Sequence, residues 1–176
     1  SLSPTLVEMG VVKSTGAFIQ AANDNPRITS MQPGYYQLRK KMAAVKAVEK
    51  LLDPSNRAGA VNLPGGVTLE DVHVVHGMTF GIYHHLSVAS CYMNAQKKHC
   101  ISSAAFRNAV AKANPAQLGV PEWAYHAVAH AKYPDRKIEG LILPGVHVFN
   151  PTHSPLQIIH DLVTASAEIY QQSGLV

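Results

Sequence analysis

Two groups of residues in this chain have types and spacings that could do chemistry. His126 and His130 stand four apart, which on a helix sets both imidazoles on one face, within reach of a zinc ion. The residues between them are Ala-Val-Ala, without the glutamate that a helix-borne zinc hydrolase uses as general base. His73 and His76 form a second pair, and no Cys, Asp or Glu falls at an obvious spacing to complete a four-ligand set. Cys91, with His147 and Asn150 downstream, has the Cys…His…Asn order of a thiol hydrolase. Such a nucleophile needs a lowered thiol pKa, and the helix expected around Cys91 would place it far from any helix N-terminus. The plainer reading is of satisfied polar histidines and an unreactive buried cysteine. No catalytic residue, metal ligand or cofactor is assigned. Pro64-Gly65-Gly66 lacks the lysine and hydroxyl of a phosphate-binding loop and reads as a turn.

The elements that would carry these residues read as helices. Pro4 to Ala22 form a first, arm-like helix weakened by Gly10 and Gly16, followed by a connector rich in Asn, Pro and Gly. A second helix covers 35–52, with Tyr35, Leu38, Met42, Val45 and Leu52 on one stripe. From Thr68 onward Val72, Val75, Thr79, Ile82, Leu86, Ala89 and Met93 recur every three or four residues, which predicts one helix of about 30 residues. Gly77 and Gly81 would let another backbone approach it. A rival reading makes Val72 to Val75 a buried strand. On one helix Cys91 and Cys100 would lie about 13 Å apart, so they are expected as free thiols or in links to other chains. Shorter helices follow from Ser103 to Ala113 and from Pro121 to Lys132. Residues 138–149 have strand character, and the cap Ser154-Pro155 opens a last helix to Gln172. The expectation is an all-α bundle of five or six helices, with residues 1–33 as arm and connector and 34–176 as the helical domain.

Charge is scarce and unevenly placed. Lys and Arg number 15 and Asp and Glu 11, or 15% of the chain, against roughly 25% in a typical soluble domain. Residues 27–50 carry a net +5 and residues 72–112 a net +4 with no acid. Arg39, Lys40, Lys46 and Lys50 in the first stretch, and Lys97, Lys98, Arg107 and Lys112 in the second, are candidate contacts to a phosphate backbone. The alternative is that these cations only solvate exposed faces. No run of about 18 uncharged apolar residues is present, so no transmembrane segment is expected, and the N-terminus lacks a secretory signal.

Helical faces with so little ionic cover need other molecules to cover them. In layout the chain resembles the α-helical coat proteins of filamentous archaeal viruses, through Pro4 to Ala22 as a wrapping arm and the basic helix from Arg39 to Lys50. That resemblance implies many copies per particle, with itself or a sister subunit as neighbour, packed around nucleic acid (DNA or RNA) in a virion. The reading from another class is a small Cys/His-dependent or metal-dependent enzyme, and a third is a helical adaptor, cytoplasmic in either case.

Overall fold

The computed structural model describes residues 2–175, and the chain divides into two compact units, Ser1–Ala58 and Gly59–Val176. Each has its own apolar core.

In the first unit α1 (Leu2–Glu8) and α2 (Thr15–Asn23) are separate helices, because Gly10 at φ 71 turns the chain between them. Ser14 starts α2 by accepting the Ala17 N–H at 3.1 Å. The strands β1 (Tyr35–Tyr36) and β2 (Arg57–Ala58) pair around α3 (Ala44–Leu52). The predicted helix over 35–52 is therefore a strand, a loop and a shorter helix. Its buried face is Ala47, Val48, Leu51 and Leu52, while Tyr35 and Val45 are exposed.

In the second unit β3 (Ala60–Leu63) pairs antiparallel with β8 (Gly145–Val148), joining segments far apart in sequence. The intervening chain supplies β4 (Val72–Val74), β5 (Gly77–Thr79), α4 (Ile82–Ala89), β6 (Tyr92–Asn94), β7 (Lys97–His99), α5 (Ser103–Lys112) and α6 (Tyr125–Ala129). The last element is α7 (Pro155–Gln172), capped by Ser154, which accepts the Gln157 N–H at 3.1 Å. Tyr83, Leu86, Phe106, Val110, Ile158 and Ile159 lie at the centre of the core.

The all-α expectation is wrong: the chain is mixed α/β, with seven helices and eight strands in two-stranded sheets among the described residues. The largest departure is the expected helix of about 30 residues. Two β-hairpins, β4–β5 and β6–β7, stand at the two ends of the eight-residue α4. Val72, Val74 and Thr79 are β-branched and favour extended backbone. Val72–Val74 is indeed a strand, but an exposed one rather than a buried one. Gly81 also has to be glycine for a packing reason: a Cβ there would meet the Leu69 and Glu70 carbonyls at 2.5 Å.

The hairpins also change the cysteine chemistry. Tyr92 pairs with His99, so Cys91 and Cys100 face each other across the ladder, Cα atoms 4.1 Å apart, and form a disulfide. Neither is the free thiol expected, and the 13 Å separation belonged to a helix that does not form.

Candidate functional site

The β8 strand, its approach from Leu143, and α7 enclose a concave feature in the second unit. Between β8 and α7 lies a cavity of about 410 Å³, walled by Leu143, Pro144, Val146 and Val148 on one side and by Leu162, Ala165 and Ile169 on the other. Its two titratable groups are His147 and Asp161. A mostly apolar recess with a few converging polar groups is the ordinary form of a ligand site.

Local sequence builds it. Pro144 cannot continue a ladder, and Gly145 at φ 106 supplies the backbone from which β8 starts. The buried Ser166 accepts the Leu143 N–H at 3.1 Å, which fixes the strand entry to α7. His147 Nε2 lies 2.6 Å from the Leu143 carbonyl oxygen. Nε2 therefore carries a proton, and in the neutral ring Nδ1 is left as an acceptor. Val146 and Ile169, 65% and 52% exposed, form apolar rims open to solvent.

The shifted titratable groups of this unit lie outside the recess and act as a brace. Arg107 Nε meets Glu70 Oε1 at 2.6 Å, and this hydrogen bond holds the guanidinium pKa above its usual value. The Tyr83 hydroxyl donates to the Asp135 carbonyl, and burial, then the charges of Glu70, Asp135 and Glu139, push its pKa far up. Lys137 Nζ donates to the Ala111 and Ala113 carbonyls at the end of α5, and burial lowers its pKa. The Glu139 carboxylate accepts the Leu69 N–H through both oxygens, at 3.0 and 3.2 Å. Asp71 accepts the Gly81 N–H at 2.7 Å. Shifted pKa values often mark reactive sites. Here each group is committed to a partner, and Glu139, Arg107 and Asp71 hold residues 69–71 and the root of the first hairpin.

Glu139 gives this brace a pH signature. Withdrawal from water raises its pKa above the ordinary 4.5, with the Leu69 N–H opposing the shift. A carboxyl raised in the folded state costs stability once it ionises. Relative to Glu139→Gln, the wild-type chain is expected to lose stability as pH rises from 4.5 through the folded pKa. Below 4.5 the gap between them should stay constant. Urea midpoints of both proteins across that range read the effect.

The predicted chemical pairs do not assemble as imagined. Cys91 is oxidised, so the thiol-hydrolase reading falls. His126 and His130 stack with ring centroids 4.2 Å apart, and His130 Nδ1 is 2.9 Å from the His126 carbonyl. No cluster of three or more metal-ligating side chains occurs among the described residues. Of the basic residues, Arg39 and Lys40 precede α3, whereas Lys46 and Lys50 lie on it, with Lys46 paired to Glu49 at 3.1 Å. Arg39 and Lys40 thus lie outside the basic helix expected from Arg39 to Lys50. Lys97 and Lys98 are exposed on β7, Lys112 is exposed at the end of α5, and Arg107 is tied to Glu70. Of the groove residues, the sequence marks His147 as a chemical candidate and Leu162 and Ile169 as apolar positions of the last helix; Asp161 and the remaining walls carry no motif.

A family model matches residues 1–175, and the chain belongs to the YceG-like family. A crystal structure of a yceG-like protein from Listeria monocytogenes is similar at 19% identity and a TM-score of 0.45. That match covers 98% of this chain and 52% of the other, so the chain spans about half the length of that protein. No curated protein matches the chain. Family membership overturns the viral coat resemblance, and with it the capsid, filament and virion readings. The reason for the error is physical: scarcity of charge was credited to helix faces awaiting partners, but many of those residues are in hairpins and loops. No helix among the described residues is long and apolar enough to cross a membrane.

Proposed function

We propose that this chain is part of a protein that handles cell-wall peptidoglycan, and that the β8–α7 groove receives a glycan strand. Family membership favours that substrate class. The observation that carries the site is the recess itself, with apolar walls and two polar groups, His147 and Asp161. Sugar rings present apolar faces to such walls, while their hydroxyls and amides need the hydrogen-bonding groups that an imidazole nitrogen and a carboxylate provide. The Cys91–Cys100 link is in keeping with an oxidising, extracytoplasmic setting.

The test is binding to insoluble peptidoglycan and to soluble glycan fragments. Ile169→Asp places a charge on an exposed apolar rim and is expected to weaken binding about tenfold, equivalent to about 1.4 kcal/mol. His147→Ala should weaken it by a similar factor. Because Ile169 is 52% exposed, its variant should unfold at the wild-type temperature. Wild-type affinity in both variants would place the glycan elsewhere and end this reading.

A further inference from the structure

The hairpins β4–β5 and β6–β7 pack against nothing in their own unit that buries them. Every residue from Asp71 to Phe80 is exposed, as is every residue from Met93 to Cys100. A lone two-stranded hairpin is marginal in water. The second hairpin has the Cys91–Cys100 link to hold it closed. The first has no such link, yet it is the more apolar of the two. Val72 is 44% exposed, Val74 52%, Met78 41% and Phe80 45%, while Val75 at the turn is 91% exposed.

The placement of these side chains selects the kind of partner. Along β4, Val72 and Val74 point to one face of the hairpin; Met78, paired with His73, lies on the other. Apolar side chains therefore stand on both faces and at the tip, with His73 beside Met78 and His76 beside Val75. A flat protein surface would cover one face and leave the second in water. A fluid apolar medium surrounds all three. No acidic residue occurs in the sequence between Val72 and Lys112. At the root of the first hairpin Asp71 is engaged by the Gly81 N–H and Glu70 by Arg107, while Lys97 and Lys98 are exposed on the hairpin at the other end of α4.

We propose that the two hairpins form an anionic-membrane contact, in which Val74, Val75 and Met78 enter the acyl boundary and Lys97 and Lys98 meet lipid phosphates. An apolar wedge plus nearby lysines is the combination that peripheral attachment requires, since either alone binds weakly. The contact is independent of the β8–α7 groove, and the two can fail separately.

The full chain is to be sedimented with vesicles of phosphatidylcholine alone and of phosphatidylcholine mixed with phosphatidylglycerol. Binding is expected to the mixed vesicles and to fall steeply with added salt. The double variant Lys97→Gln with Lys98→Gln should bind about thirtyfold more weakly, the factor corresponding to about 1 kcal/mol per lysine. Val75→Asp should lower binding at least about tenfold with charge on β7 intact. Ile169→Asp, in the groove, should bind vesicles like the wild type. These side chains are exposed, so unfolding temperatures should not change. Failure to bind either vesicle, or undiminished binding by the variants, overturns the proposal. So does self-association abolished by Val75→Asp, which would show that a second copy covers the hairpin. Capture by heparin or short DNA without any by vesicles would reassign the lysines to a soluble polyanion and overturn it equally.

Discussion

Gly59→Ala is expected to destabilise the 59–176 unit by about 3 kcal/mol and to lower its unfolding temperature by about 10 °C. Two costs combine. Gly59 sits at φ 67, in the left-handed region that a Cβ disfavours by about 1–2 kcal/mol. The added methyl would also fall on the Phe149 carbonyl oxygen, inside contact distance, and that atom is backbone that cannot rotate away. The clash lies where the β3–β8 ladder begins: the Phe149 N–H donates to the Gly59 carbonyl at 2.8 Å, and the Gly59 N–H donates to Ala89 at 2.8 Å. Relief therefore requires these strands to separate, which disturbs the β8 wall of the proposed glycan groove. Thermal unfolding followed by circular dichroism reads the stability, and glycan binding should weaken in the same variant. Gly16, whose Cβ would meet nothing within 4 Å and whose φ is unexceptional, is the control, and Gly16→Ala should be neutral or slightly stabilising.

Reducing the Cys91–Cys100 disulfide, or replacing both cysteines by serine, is expected to open the second hairpin without unfolding its unit. Closing a loop of about ten residues removes chain entropy worth about 2.7 kcal/mol, or about a hundredfold in the open population. Little else opposes opening. The hairpin turns through Ala95 and Gln96 at φ 48 and 62, a tight two-residue turn made without the glycine or asparagine that it favours. Its side chains are almost all exposed, so no core is lost when it opens. Trypsin cleavage after Lys97 and Lys98 should accelerate by about that hundredfold, while the unfolding temperature of the remaining unit moves little. Hydrogen exchange at the β6 and β7 amides should change in parallel. A large drop in global stability instead would show that the hairpin belongs to the cooperative core.

The same hairpin explains why so much of the second unit was illegible in sequence. Between Val72 and Met93, spacings of three and four residues fit a helix seam, yet the β-branched residues among them equally suit strands. What separates the two is long in range or concealed. The turn at Ala95-Gln96 carries no turn residue, and the pairing of Cys91 with Cys100 exists only once the chain has doubled back. Likewise β3 and β8 are weak strands individually. Val146 and Val148 meet Asn62 and Ala60 only through a pairing of segments about half the chain apart.

Local chemistry was enough where an element's ends are written in a few neighbouring residues. Ser154-Pro155 and Gly174 delimit α7, Gly10 marks a weak point in the helix expected over 4–22, and the basic stretches at 27–50 and 72–112 are plain from residue order. These signals act within a turn or two of backbone, so the sequence alone determined them. Tertiary structure decided the rest: the hairpins in place of a long helix, the disulfide, and the groove whose His147 and Asp161 come from different elements. Each depends on which distant segments pack together, and that follows from the summed burial of a whole core rather than from any short pattern of residues.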